Sequence, residues 1–263
     1  MITRKFITVP AGTIHCAMAG SGRPVLLLHQ TPRSWDEFRD VLPLLGQRHW
    51  AIAMDTIGFG DSSKLPPGTD SIEKWAEVAI SLLDALGIER TAVVGHHTGA
   101  VIATELAAAW PDRIDAAVLS GAPLIDAAFR AAHSGPPPVD NVTRRVDGTH
   151  LTELWAQRQP WYPAGDMDLL ERFIADAIKA GPRAQEGHRV VSRYVMETQL
   201  QKIRCPVLIV APTEDPHAYP FARPLAACIA GSRVVEVPGG TVPLPDQMPE
   251  EFARIVADFL NDL

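Results

Sequence analysis

A chain of 263 residues with a net charge of −7 lacks the basic footprint that nucleic-acid binding requires. Its 46% hydrophobic and 21% charged content is that of an ordinary globular protein, long enough to bury a sizeable core without staples. Three cysteines without metal-ligand spacing (Cys16, Cys205 and Cys228), a start with no apolar signal segment and no run approaching ~18 apolar residues point to a reduced cytoplasm. No membrane span is expected.

Lys5 to Ala19 reads as two short strands around Ala11-Gly12, and Gly20-Ser21-Gly22 as a turn. Val25 to Leu28 is a continuous apolar run, the pattern of a strand buried on both faces. It ends in His29-Gln30-Thr31-Pro32. Trp35 to Leu45 has helical spacing, with Trp35, Phe38, Val41, Leu42 and Leu45 on one side. Trp50 to Met54 is the next apolar strand and runs into a glycine-punctuated loop, Asp55 through Ser62. Asp70-Ser71-Ile72-Glu73 reads as a capping box that opens a helix ending at Gly87. A β-rich run, Thr91 to Val94, follows. Then come Gly95-His96-His97-Thr98-Gly99 and an alanine-rich helix closed by Pro111.

Ala116 to Leu119 is a further strand. Strand and helix patterns alternate up to this point, which predicts a parallel sheet covered on both faces. The pattern then changes. His133 to Gly148 reads as irregular, and no β-rich run occurs from His150 to Met196, where helices are expected over Leu151–Arg158, Met167–Ala180 and Arg183–Met196. Strands resume at Pro206–Ala211 and Arg233–Val237, and an amphipathic helix, Glu250–Leu263, closes the chain.

The stretch Thr91 to Trp110 organises the rest. Strand, tight glycine turn and helix form the context of the G-x-S-x-G nucleophile elbow, whose sharp turn tolerates no bulk beside the central residue. Here that residue is His97. Four more pieces stand in order around it: the strand ending in His29-Gln30-Thr31-Pro32, the D-x-x-G-x-G-x-S loop from Asp55 to Ser62, Pro206 to Val210 followed by Glu214-Asp215, and Pro249-Glu250-Glu251-Phe252. Over essentially its whole length the chain resembles the α/β-hydrolase family. The resemblance implies a mostly parallel eight-stranded sheet with helices on both faces. The core would be residues 1–123 and 205–263, with a helical cap over 124–204. It also implies that Asp215 is the acid and that Thr31 N–H is an oxyanion donor. No cofactor is implied.

Two departures bear on chemistry. The elbow carries His97 in place of serine, and the loop from Gly239 to Asp246, where the family keeps its histidine, has none; Val242 stands nearest the vacated position. An imidazole at the elbow reaches further than a serine hydroxyl and could meet Asp215 directly, giving a His–Asp dyad. Imidazole suits general-base work near neutral pH. Thr98 N–H, at a helix N-terminus, would be the other oxyanion donor. Gln30 adds an amide that could face the pocket, and Trp161, Tyr162 and His217 are candidate substrate contacts.

The expected activity is hydrolysis of a small ester, lactone or related carbonyl compound, with His97 as base or nucleophile. A lyase, decarboxylase or isomerase using His97 for proton transfer, and a non-catalytic binding protein, stay open. So do His217 or Asp126 as stand-ins for a triad member, and a homodimer. His29 and His96 are expected to be structural. His15, His49, His133 and His150 are expected on the surface. No metal site is expected, since no ligand-spaced partners accompany His96 and His97. The partner is a small-molecule substrate.

Overall fold

The computed structural model describes residues 1–137 and 139–263. Eight strands form one sheet: β1 (Thr3–Val9), β2 (Gly12–Ala19), β3 (Arg23–Leu28), β4 (His49–Met54), β5 (Thr91–His96), β6 (Ile114–Ser120), β7 (Val207–Pro212) and β8 (Arg233–Val237). Their order is β1-β2-β4-β3-β5-β6-β7-β8. The β1/β2 and β2/β4 pairs are antiparallel and the other pairs are parallel. The apolar runs of β3, β5 and β6 lie in the middle and are buried on both faces. Strand order reverses between β3 and β5, and in an open α/β sheet ligands bind outside the carboxyl ends at such a point.

The expected helix over Trp35–Leu45 is instead a 3-10 turn, Trp35–Phe38, and a separate short helix α1, Val41–Leu45. Pro43 explains the break, because in one continuous helix its ring would clash with the carbonyl of Arg39. Helix α2 spans Ile72–Ala85, and its cap is Ser71, which accepts from Lys74 N–H at 3.1 Å. The capping box expected from Asp70 and Glu73 is not formed, since the residue three after Ser71 is Lys74 and the Asp70 carboxylate is held by Trp75 Nε1 and Arg183. Helix α3, Thr98–Ala109, is buried almost throughout.

Between β6 and β7 the chain leaves the sheet for α4 (Ala127–Ala132), α5 (Thr149–Arg158), α6 (Met167–Ala180) and α7 (Arg183–Arg193). This insertion has its own apolar cluster, built on Leu154, Tyr162, Leu169, Leu170 and Phe173. Buried charge joins it to the sheet side. Arg33 Nε lies 2.9 Å from Asp176 on α6, Arg33 also pairs with Asp246, and Arg172 reaches both Asp36 and Asp246 at 2.7 Å. Helices α8 (Ala222–Ala227), α9 (Leu244–Gln247) and α10 (Pro249–Asn261) complete the chain, Phe252 of α10 packing against Phe38 of the 3-10 turn before α1. Among the described residues no helix is long and apolar enough to cross a membrane.

Candidate active site at the carboxyl ends of the strands

Strand β5 delivers the elbow. His97 sits at φ 48°, a left-handed conformation that costs a non-glycine residue about 1–3 kcal/mol. Sterics around it are severe. A Cβ on Gly99 would stand 1.8 Å from Leu28 O, and one on Gly95 would stand 2.1 Å from Gly99 O. Bare glycines let strand, turn and helix approach this closely. A third glycine makes room for the ring: Gly121, after β6, is at φ +54°, and a Cβ there would meet His97 Cδ2 at 2.9 Å.

The ring of His97 points at the loop after β7. Its Nε2 lies 2.6 Å from Asp215 Oδ2, and Asp215 Oδ1 accepts from His217 N–H at 2.9 Å. Asp215 is fully buried. Burial works to raise its carboxyl, but the His97 ring and the His217 N–H outweigh that and hold it below its ordinary value. An ionised carboxylate only accepts, so the shared proton rides on Nε2 and the lone pair of His97 is on Nδ1.

His96 lies beneath. Its Nε2 donates to Val242 O at 2.7 Å, and its Nδ1 takes the Ser120 hydroxyl at 3.0 Å. Burial, then the neighbouring His97, pushes its pKa down to about 3, so the ring is neutral. The elbow's first histidine thus pins the late loop that has no histidine of its own. Val242 is buried and lines the cavity above.

On the opposite side, Thr31 N–H points at Thr98 Oγ1 at 3.4 Å, and the two threonine hydroxyls are 2.9 Å apart. Thr98 heads α3, whose first-turn N–H groups have no intrahelical acceptor. Gly187 on α7 allows the insertion to reach Thr31, since a Cβ there would stand 2.7 Å from the Thr31 methyl. Gln30 lines the cavity, but its amide is not free to turn to a ligand. Nε2 donates to Glu37 Oε1 at 2.6 Å and the Gln30 N–H to Glu37 Oε2 at 2.8 Å. Glu37 is wholly buried, and burial raises its carboxyl to about 8.

His97, Thr31, Thr98, Gln30, His217 and Val242 share one cavity of about 600 Å³, closed on the far side by residues of the insertion. Trp161 backs His217 edge-on, ring centroids 4.6 Å apart, without lining the cavity. Tyr162 is not on the wall either: it is packed against Phe173 inside the insertion's apolar cluster. Asp126 caps α4 by accepting from Phe129 N–H at 2.8 Å.

Two histidines expected on the surface are buried, His15 at 0% and His49 at 6% exposure. His15 donates from Nδ1 to Asp55 at 2.8 Å and accepts Arg4 Nε at 2.9 Å, a partnership across 40 residues that local sequence does not announce. Among the described residues, His15, Asp55 and Asp61 form the one group with metal-ligand proximity. The Arg4 guanidinium and backbone N–H groups already occupy those atoms.

Sequence reasoning missed Gly121, Glu37 and a group on the insertion, Asp140, Arg158 and His188. His188 Nε2 lies 2.6 Å from Asp140 Oδ2, and Arg158 and His188 both line the cavity. Their separation along the chain leaves no local signal.

A family model described as the alpha/beta hydrolase fold matches residues 23–216. A soluble epoxide hydrolase of Corynebacterium sp. (strain C12) is 35% identical over 52% of this chain and 47% of its own length. A 2-hydroxymuconate semialdehyde hydrolase of Pseudomonas putida is 34% identical over 49% of this chain and 48% of its own. The chain therefore spans about half the length of these curated relatives. Among solved structures, the enol-lactonase from Burkholderia xenovorans LB400 superimposes with a TM-score of 0.79 at 21% identity, covering 98% of this chain and 100% of that one. At that identity the likeness is one of fold.

Proposed function

The chain belongs to the α/β-hydrolase fold family, and from that premise we propose that it is a cofactor-independent hydrolase of a small ester, lactone or related carbonyl compound. The observation that carries the reading is the 2.6 Å contact of His97 Nε2 with Asp215 Oδ2, which leaves the His97 Nδ1 lone pair for the cavity. His97 is the general base and Asp215 orients it. Nδ1 takes a proton from water while the water oxygen bonds to the carbonyl carbon. The carbonyl π pair moves to oxygen, where the N–H groups of Thr31 and Thr98 stabilise it. On collapse the carbon–oxygen bond to the leaving group breaks, and the proton held on Nδ1 passes to the departing oxygen. Atoms and charge balance without a second base. The insertion, residues 124–204, acts as a cap, and the protein works in the cytoplasm. The names of the two curated relatives above, an epoxide hydrolase and a 2-hydroxymuconate semialdehyde hydrolase, support hydrolysis over a lyase or isomerase reaction.

Rates on a panel of aryl and alkyl esters test this, with melting temperatures as controls. His97→Ala is expected to lose about 10²–10⁴-fold, the usual worth of a general base. Asp215→Asn should do most of the same damage and His217→Ala little. Turnover in H₂¹⁸O should place label in the product carboxyl. Near-wild-type rates in His97→Ala with loss in His217→Ala would move the base to His217. Absence of label would turn the reaction to proton transfer without water, and ligand binding with no turnover at all would make this a binding protein.

A further inference from the structure

Both sides of the cavity carry a histidine held by a buried aspartate. Opposite His97–Asp215, the insertion presents His188 with Nε2 2.6 Å from Asp140 Oδ2. Asp140 is fully shut from solvent at its side chain and receives Arg158 through Nε, at 2.8 Å, and Nη2. Asp140 and His97 are the two non-glycine residues at positive φ among the described residues, at 57° and 48°. Backbone strain gathers where a site holds it in place.

The charge around this group is one-sided. Beside the cavity lies an open hollow of about 570 Å³, which shares His133, Gly135, Pro136 and Ser192 with its wall. Together the two spaces are lined by Arg130, Arg158, Arg189 and Arg193 and by four histidines, and by no carboxylate among the described residues. This occurs in a chain of net charge −7. Some of the positive charge is matched from behind. Arg130 gives both Nη atoms to Glu197, while Arg189 and Arg193 share the one carboxylate of Glu186 at 3.4 and 3.7 Å. That leaves one guanidinium in excess at the rim. Deeper in, Arg158 spends Nε and Nη2 on Asp140, and its Nη1 has no hydrogen-bond partner among the described residues, though the side chain is 5% exposed. A buried guanidinium with an unspent edge on a cavity wall asks for an acceptor from the ligand.

We infer that the substrate is an anion, whose carboxylate or phosphoryl group is received by Arg158 and His188 on the insertion while His97 faces its reacting carbonyl. This rests on the hydrolase reading for the reacting end only. The pair Arg158–Asp140 is neutral as a unit, so the ligand's charge is met by the Arg158 Nη1 donor, beside the His188 ring that Asp140 holds through Nε2 on the cavity wall. The rim arginines draw the anion toward the mouth, where a field of one sign raises the encounter rate.

Three aryl esters of one length separate the chemistry: 4-nitrophenyl hexanoate, the 4-nitrophenyl half-ester of adipic acid, and its neutral primary-amide isostere, with spontaneous hydrolysis subtracted. A 5-phosphonopentanoate ester forms a fourth arm, and its rank against the half-ester tells phosphoryl from carboxylate. Wild-type kcat/KM for an anionic ester is expected to exceed that of the amide by at least about tenfold, the worth of one hydrogen bond to a charged group. In His188→Gln that ratio should fall below about threefold. The double variant Arg158→Gln/Asp140→Asn, which removes both buried charges together and so leaves neither unpaired, should do the same. Arg193→Gln should cost the anionic ester only about two- to threefold, and only at low salt, as expected for a rim charge. A calorimetric arm needs no turnover: adipate should bind His97→Asn more tightly than adipamide, and lose that advantage in His97→Asn/His188→Gln. If the half-ester is hydrolysed just as fast by His97→Asn, the assignment of His97 as the base falls while calorimetry still judges the anion site. Equal kcat/KM for half-ester and amide in the wild type, or equal binding of adipate and adipamide, overturns the inference.

Discussion

The two walls of the cavity carry the same pair of groups, yet they are held in different ways. On the sheet side, His97 is fixed by backbone. It stands between β5 and α3, its N–H bonds to Ser120 O at 2.9 Å, and Gly95, Gly99 and Gly121 set the space around it. On the insertion side, His188 is fixed by side chains: an aspartate from an irregular segment, an arginine from α5 and its own place on α7. A wall built on strand ends has few ways to move. The wall built on side-chain contacts is tied to the sheet by Arg33, Asp176, Arg172 and Asp246. The sheet side suits chemistry that tolerates no displacement, and the insertion side suits recognition.

Breaking the tie between the walls should have the largest effect. Arg33 is wholly buried between Asp176 and Asp246. Arg33→Met removes the buried charge between the two carboxylates and leaves Asp176 only the Ser34 hydroxyl and Asp246 only Arg172, so unfolding free energy in urea should fall by about 3–5 kcal/mol. A loss under 1 kcal/mol would show that the insertion is held by its apolar contacts instead. Next in size is the sheet-side ring itself. Gly121→Ala puts a methyl group 2.9 Å from His97 Cδ2 and forces alanine to φ +54°. The rate should fall by about 10²-fold, the effect of roughly 1 Å of misplacement, with a stability loss of about 1–2 kcal/mol from the left-handed backbone. Unchanged kcat would mean the ring has slack.

The pH response sharpens the same contrast. His96 is buried neutral with its pKa down near 3, and burial lowers His29 as well. The unfolded chain takes up these protons below about 6.5 and the folded chain refuses them. The contribution of His96 to stability is therefore present above pH 6.5 and is lost as pH falls toward 3, at about 1.4 kcal/mol per pH unit, and His29 adds to the loss in the same direction. Urea melts from pH 7 to pH 5 should show this slope, and His96→Gln should reduce it by one group's share. A flat profile would mean that these rings protonate within the fold. The smallest effect is expected at Asp126, which caps α4. Asp126→Ala should cost about 1 kcal/mol of stability and leave kcat unaltered. A large fall in kcat would return Asp126 to the catalytic acid role.

Much of the sheet was legible in the sequence because a strand buried on both faces must be continuously apolar, as in Val25–Leu28, and because Gly95 and Gly99 announce a turn that only glycine fits. The contact of His97 with Asp215 was expected from the reach of an imidazole and from the family resemblance that marks Asp215 as the acid. Less was legible where contacts were distant. The spacing of Trp161 and Tyr162 gave no means to tell a cavity wall from the insertion's own core, and Tyr162 went to the core. His15 read as an exposed strand residue until Asp55, 40 residues away, closed over it. Gln30 read as a pocket amide until Glu37 took a hydrogen bond from its Nε2 and another from its backbone N–H.

The sequence by itself determined the alternation of strands and helices, the glycine elbow and the presence of histidine where a nucleophile is usual. These rest on local sterics and periodicity, which each short stretch carries within itself. Only the tertiary structure decided which tautomer His97 keeps, that His96 pins the late loop, and that Asp140, Arg158 and His188 converge on the far wall. Those outcomes depend on the burial of charges brought together from distant segments. The cost of leaving a buried charge unpaired, a property of the folded interior and not of any local stretch, selects the partner.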